Sequence, residues 1–134
     1  MNKISYLSLL PLLMLLAGNS GANAVPDLQQ AYVSQGATRA DAAAAEILWT
    51  REFRSADTGQ GRSCATCHTD NLRQQGKHAK TGKVIKPMAP SVNSERLSDA
   101  KHIEKWFLRN CKWTLGRECS AQEKADFLAY IGGQ

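Results

Sequence analysis

The segment of this sequence whose residue types and spacing predict a specific chemistry is C-x-x-C-H at residues 64–68. Two thiols separated by two residues can add across two porphyrin vinyl groups, and the histidine that follows can then bind the iron as proximal axial ligand. A thioredoxin-like site needs a βαβ context, and a zinc site needs a second ligand pair at metal spacing, whereas the other two cysteines are eight residues apart. We therefore predict one covalent haem c, attached at Cys64 and Cys67, with His68 on the iron.

The first 24 residues have the features of a secretory signal peptide. Lys3 precedes an apolar run from Tyr6 to Ala17 that contains seven leucines, and Ala22-Asn23-Ala24 has the small-x-small pattern of a cleavage site. The run is about 12 residues long, shorter than the roughly 20 that span a bilayer. We predict cleavage after Ala24, export to the periplasm and one mature domain over residues 25–134.

Composition sets broad limits on function. The 134 residues hold 17 Lys and Arg against 12 Asp and Glu. This length accommodates one domain and excludes a multidomain enzyme. The basic excess is mild and is expected to be spread along the chain, so it predicts no nucleic-acid partner.

The remaining cysteines are Cys111 and Cys119. If Cys64 and Cys67 carry the haem, this second pair is left over in an oxidising compartment. A disulfide closing the short segment 112–118 is the expected outcome, and a pair of free thiols is the alternative.

Helical patterns dominate the mature chain, and strand alternation is absent. Four helices are predicted: from Pro26 to a stop at Gly36; from Arg39 to Phe53, capped by Thr38; from Asp99 to about Asn110, capped by Ser98; and from a capping box at Ser120 and Glu123 to Gly132. Residues 71–97 are polar and interrupted by Gly and Pro, which predicts an irregular segment. Helices at both ends of a C-x-x-C-H motif, with long loops around it, indicate the all-α class I cytochrome c arrangement.

A c-type haem has a second axial position, and its occupant decides whether the iron can bind an external ligand. At roughly 100° per residue, Ile103 and Asn110 lie about 20° apart on one helix face, with Trp106 and Phe107 beside them. Asn110 therefore lies on an apolar stripe, where an amide needs a partner. The residues leave two interpretations of equal weight: Asn110 caps the end of its helix, or its amide oxygen binds the iron.

Met88, which follows Pro87, is the alternative distal ligand. A Met beside a Pro is typical of class I cytochromes c. However, only 20 residues separate Met88 from His68, a short path to the far side of a haem. Met88 can instead pack against the porphyrin edge. His78 and His102 are assigned to the surface.

The C-terminal half of the chain resembles the SHP-type (Sphaeroides haem protein) monohaem cytochromes c. The resemblance covers about two-thirds of the mature chain and is carried by the haem motif at residues 64–68, by GKVIKPMAPS at 82–91, by IEKWFLRNC at 103–111, by LGREC at 115–119 and by EKAD at 123–126. The Arg-Asn-Cys and Gly-Arg-Glu-Cys pieces are specific to that family rather than to cytochromes c in general.

The resemblance implies His68 as proximal ligand, Asn110 as distal ligand and a Cys111–Cys119 disulfide beside it. It also implies that Asn110 is released on reduction, so that ferrous haem binds dioxygen or nitric oxide. Electrons would come from a dihaem cytochrome c or another periplasmic donor, with a membrane cytochrome b nearby. A simple electron-transfer cytochrome c with Met88 on the iron is the alternative, and enzymatic turnover of a diatomic ligand is left open.

Overall fold

The computed structural model describes residues 23–134, which form a mostly helical domain. Its elements, in chain order, are α1 (Val25–Ser34), α2 (Ala42–Thr50), β1 (Phe53–Arg54), β2 (Gly61–Arg62), α3 (Ala65–His68), β3 (Gly76–Lys77), β4 (Val84–Ile85), α4 (Ala100–Leu115) and α5 (Ala121–Gly132). The predicted all-α class is confirmed. Among the residues described, no helix is long and apolar enough to cross a membrane.

Helix α5 forms the centre of the core. It buries six side chains, among them Phe127 and Leu128, and both α1 and α2 pack against it. The predicted capping box is confirmed: the Ser120 hydroxyl accepts from the Glu123 N–H, and the Glu123 carboxylate accepts from the Ser120 N–H at 2.8 Å. This start is encoded locally, because each partner satisfies a backbone N–H of the first turn.

Helix α2 is shorter than predicted and has a different cap. Asp41 Oδ1 accepts from the N–H groups of Ala43 and Ala44, whereas Thr38 donates its hydroxyl and its N–H to the side-chain oxygen of Gln122. The prediction of Thr38 as cap is therefore wrong. Thr38 instead attaches the α1–α2 loop to α5, a contact that local sequence does not show.

Helix α4 extends past its predicted end. It starts at Ala100 with Asp99 as its N-cap, because the Asp99 carboxylate accepts from the His102 N–H at 3.0 Å. The prediction of Ser98 as cap is wrong, since the Ser98 hydroxyl donates to the Glu95 carbonyl. It continues to Leu115 and ends at Gly116, which has the left-handed φ of +74°. Cys111 and Thr114 are buried in this extra turn, so the inner face of the helix continues beyond Asn110.

Two antiparallel pairs of two residues each interrupt the loops. β1 pairs with β2, and β3 pairs with β4 in the register Gly76–Ile85 and Lys77–Val84. The second pair lies within the segment that was predicted to be irregular. Strands of two residues are too short to give a period-two pattern, so sequence alternation could not predict them.

The predicted signal peptide lies almost entirely outside the described residues. Of its residues, only Asn23 and Ala24 are described. Ala24 is buried, and its N–H donates to the Leu97 carbonyl at 3.0 Å, at the start of α1.

Candidate haem site

The C-x-x-C-H segment folds as one helical turn. Thr66 and Ser63 fix its start reciprocally, since each side-chain oxygen accepts from the other residue's N–H, at 2.9 and 3.2 Å. The His68 N–H donates to the Cys64 carbonyl at 3.1 Å, which closes the turn. On a helix, residues three and four positions apart are neighbours, so α3 and its N-cap bring Cys64, Cys67 and His68 together as the sequence predicts for this motif.

His68 is a half-buried imidazole without a hydrogen-bond partner on Nδ1 in the described part of the chain. Burial is the larger cause and the nearby charge of Arg96 the smaller one, and together they lower the pKa of His68 to about 4. The ring is therefore neutral near pH 7. Its position is fixed by Trp49, whose ring centroid is 5.7 Å away and whose indole N–H donates to the Thr69 carbonyl at 2.8 Å. A neutral, oriented imidazole is the form that binds a metal ion.

Both cysteines of the motif are free thiols in the structure. The pKa of the Cys64 thiol is raised to about 12, mainly because the thiol is buried. Cys67 Sγ accepts from the Ala79 N–H at 3.4 Å, a contact from the loop between β3 and β4. Two thiols on one helical turn, next to an imidazole whose Nδ1 has no hydrogen-bond partner among residues 23–134, fit the attachment of a porphyrin with its iron on His68.

Within residues 23–134, no group of three or more His, Cys, Asp and Glu side chains could hold a metal ion. At α3, one imidazole beside two thiols is a donor set that fits iron already carrying four porphyrin nitrogens, which needs the protein for axial ligands alone.

A set of backbone hydrogen bonds fixes the segment around Met88 on the His68 side of the site. The Leu72 carbonyl accepts from the N–H groups of Met88 and Ala89, both at 2.9 Å. The Pro87 carbonyl accepts from Asn93 Nδ2 at 2.9 Å and from Arg96 Nε at 3.1 Å. These bonds hold the backbone of Met88 next to the segment that directly follows His68.

Asn110 lies on α4 and is half-buried. The helix continues five residues beyond it, to Leu115, so the interpretation of Asn110 as a helix cap is wrong. The next residue, Cys111, is disulfide-bonded to Cys119, with 5.6 Å between the Cα atoms. The buried disulfide joins the last turns of α4, at the residue after Asn110, to the residue that precedes the N-cap of α5.

Aromatic side chains connect the two helices that carry the predicted ligands. Phe107, one turn before Asn110 on α4, lies 6.2 Å from Phe127 between ring centroids, and Phe127 lies 6.2 Å from Trp49, which contacts His68. The remaining histidines, His78 and His102, are exposed, as predicted.

Sequence reasoning missed Arg96, Trp49 and Gly76 at this site. Arg96 acts through backbone carbonyls and through its charge on His68, for which no sequence motif exists. Gly76 is adjacent to Cys67 only after the chain has folded back. The only sequence feature that could have indicated this contact is the glycine itself, and many loops contain a glycine without such a contact.

A family model described as "Domain of unknown function (DUF1924)" matches residues 35–131. The chain is 37% identical over 118 residues to the cytochrome c-type protein SHP of Cereibacter sphaeroides, a match that covers 86% of this chain and 88% of that protein. It is 42% identical over 86 residues to cytochrome c'' of Methylophilus methylotrophus, covering 64% of this chain. This second match spans 59% of the length of cytochrome c''.

Two solved structures have the same fold. Oxidised SHP, described as an oxygen-binding cytochrome c, superimposes with a TM-score of 0.75 at 35% identity, over 84% of this chain and 99% of that chain. Oxidised cytochrome c'' from Methylophilus methylotrophus superimposes with a TM-score of 0.70 at 34% identity, over 80% of this chain and 91% of that chain.

Proposed function

Because this chain belongs to the DUF1924 family and is an SHP-type, haem-binding cytochrome c, we propose that it is a redox-gated cytochrome whose distal side chain opens the iron to a diatomic gas. In the oxidised protein Asn110 would occupy the distal position, and reduction would release it. The proposal is carried by the position of Asn110 inside α4, half-buried and directly before the disulfide.

Three residues of the haem motif would hold one haem. Cys64 and Cys67 would form thioethers to it, and His68 would bind the iron from the proximal side. When bound, the haem supplies an iron that takes up and gives back one electron and that accepts dioxygen or nitric oxide in its ferrous form. Trp49 holds the His68 side of the site, because its indole N–H is hydrogen-bonded to the residue that directly follows His68.

Asn110 would act through the hardness of its donor atom. A neutral amide oxygen is a hard, weak donor that binds ferric iron better than the softer ferrous iron. Reduction of a bound haem would therefore weaken its iron's bond to the Asn110 side chain, and that side chain would rotate away while the Cys111–Cys119 disulfide keeps the helix backbone in place. Without a thioether to stabilise the ferrous state, we expect a low reduction potential.

The alternative function, a simple electron-transfer cytochrome with Met88 on the iron, has less support. The Met88 and Ala89 N–H groups both bond to the Leu72 carbonyl, four residues after His68. The preceding carbonyl, of Pro87, is held by Arg96, whose charge acts on His68. These contacts favour a place for Met88 on the proximal side rather than opposite His68.

We further propose that the electrons come from a dihaem cytochrome c or another periplasmic donor, with a membrane cytochrome b as an earlier carrier. This assignment presupposes export, with cleavage after Ala24. N-terminal sequencing of the protein purified from the periplasm tests that step: a chain that begins at Val25 supports it, and a chain that retains Met1 contradicts it.

The deciding experiment compares the holoprotein with Asn110→Ala and Met88→Leu variants. We expect the dithionite-reduced wild type to bind carbon monoxide, and its ferric near-infrared spectrum to lack the charge-transfer band of a thioether ligand. Asn110→Ala should change the ferric spectrum, and Met88→Leu should leave it unchanged. The reverse pattern, or a low-spin six-coordinate ferrous protein that ignores carbon monoxide, would reject the gated function and leave a plain electron carrier.

A further inference from the structure

We propose that the loop formed by residues 73–86, here called the basic hairpin, is the docking surface for an electron-transfer protein that presents acidic side chains around its redox centre. The proposal rests on the proposed function, because the hairpin is next to a redox group only if Cys67 holds the haem.

The basic charge of the chain is concentrated here, contrary to the even spread expected from composition. Between Asp70 and Glu95 the sequence has no acidic residue and five basic ones: Arg73, Lys77, Lys80, Lys83 and Lys86. The whole chain has a formal charge of +5, so all other residues together are neutral. A field of one sign confined to one loop attracts a partner of opposite sign and orients it on approach.

Most of this charge is not neutralised within the protein. Lys86 pairs with Glu95 at 3.2 Å, and both groups are largely exposed. Lys77, Lys80 and Lys83 are exposed and take part in no ion pair among residues 23–134. Exposed lysines of one loop that form no ion pair in the described part of the chain are available to a partner's carboxylates.

The backbone that carries these lysines is ordered by its own hydrogen bonds. The His78 N–H donates to the Lys83 carbonyl at 2.8 Å, and the Gly82 N–H donates back to the His78 carbonyl at 2.9 Å. The Lys80 and Thr81 N–H groups both donate to His78 Nδ1, at 3.3 and 3.2 Å. The lysines therefore project from a defined turn, so docking fixes less backbone than it would on a flexible loop.

The hairpin also lies directly on the proposed haem attachment. The Ala79 N–H donates to Cys67 Sγ at 3.4 Å, and Gly76 packs against the Cys67 backbone. Val84, 59% exposed, adds an apolar contact between the cations. A partner bound to this loop thus comes within one residue layer of Cys67. Nucleic acids and anionic membranes are also acidic, but they bring no redox centre to this position, which is why we favour a protein donor.

The test measures reduction of the ferric holoprotein by a reduced plant-type ferredoxin, a small acidic protein used as probe. One electron leaves the iron–sulfur cluster and enters the ferric haem, and no proton or bond is exchanged. The test variant is Lys77→Glu/Lys80→Glu/Lys83→Glu. A matched control, Arg39→Glu/Lys101→Glu/Lys105→Glu, changes the net charge equally at exposed positions outside the hairpin.

At low ionic strength we expect the hairpin variant to react roughly tenfold or more slowly with ferredoxin, and to lose most of its salt dependence. The control should stay within about twofold of the wild type, because the local field is intact. The milder Lys77→Gln/Lys80→Gln/Lys83→Gln variant should give an intermediate rate. Photoreduced lumiflavin, a small uncharged donor, should reduce all four proteins equally.

An equal loss in the control variant, or no loss in the hairpin variant, would overturn the docking surface. So would hairpin-dependent binding to phosphatidylglycerol vesicles or to duplex DNA without any effect on ferredoxin. Failure of the wild type to be reduced by lumiflavin is a different result, because it counts against the proposed redox function and not against the place of docking.

Discussion

Gly76 lies so close to Cys67 that a Cβ atom at position 76 would be 2.0 Å from the Cys67 carbonyl oxygen. The same Cβ would be 3.0 Å from His68 Cα. The close approach lets β3 and β4 pack on the haem-binding turn and brings the Ala79 N–H to Cys67 Sγ. The absence of a side chain at residue 76 is therefore a condition for the geometry of the site.

Replacing Gly76 with alanine should expel the hairpin from this turn. The neighbouring atoms are backbone and cannot rotate away, so we expect a loss of roughly 2 kcal/mol or more in the free energy of unfolding. Guanidinium denaturation of the holoprotein measures it. Gly132→Ala is the control, because its Cβ would meet Leu97 at 3.7 Å, an ordinary contact. Equal stability of the two variants would contradict the close packing at Gly76.

Replacing Arg96 with glutamine should lower the midpoint reduction potential. Its cation acts on His68, and a fixed positive charge near the iron favours the reduced state, which carries one positive charge fewer. The variant also loses the bonds to the Lys86 and Pro87 carbonyls, at about 1 kcal/mol each. Spectroelectrochemical titration and denaturation separate the two effects.

Asn93→Ala is the matched control for Arg96. Asn93 donates to the same Pro87 carbonyl but carries no charge. It should lose about 1 kcal/mol of stability and leave the potential close to that of the wild type. If both variants shift the potential alike, the effect comes from loosening of the loop and not from the charge.

Removing the disulfide by Cys111→Ala/Cys119→Ala should destabilise the fold and loosen the distal side. The cross-link joins residues eight apart, and a loop of this size contributes about 2.5 kcal/mol in the chain-entropy description. Because Asn110 directly precedes Cys111, we also expect added imidazole to displace the distal ligand of the ferric protein more readily. If imidazole displaced the distal ligand less readily in the variant than in the wild type, the disulfide would not be what holds Asn110 in place.

The parts of the molecule that the sequence predicts are those encoded by contiguous residues. The turn at residues 64–68 and the Ser120–Glu123 capping box each depend on partners within four positions, so pattern alone specifies them. The Thr38 cap was wrong because a more distant partner, Gln122, takes its hydrogen bonds. The charge of Arg96 acts on His68 although the two residues are 28 positions apart in the chain. The length of α4 depends on the packing of its buried face. Neither feature can be recognised from neighbouring residues in the sequence.

Glu123 gives a prediction for stability against pH that is independent of the haem. Arg117 is the main cause that lowers the pKa of this carboxyl, with a further contribution from the Ser120 backbone N–H. The folded state therefore binds its proton less readily than the unfolded state does. The stabilisation is fully present above the unfolded pKa, near 4.5, and is lost as the pH falls through the lower folded value.

Glu123→Gln should accordingly reduce stability at pH 7 by about 1 kcal/mol, discounted for the partial exposure of the group, and should flatten the acid limb of the stability curve below pH 4.5. Glu118→Gln is the control, because its ion pair with Lys112 is largely exposed and should contribute little. Urea titrations between pH 3 and 7 measure both variants. An acid limb for Glu123→Gln as steep as that of the wild type would show that other carboxyl groups govern acid unfolding.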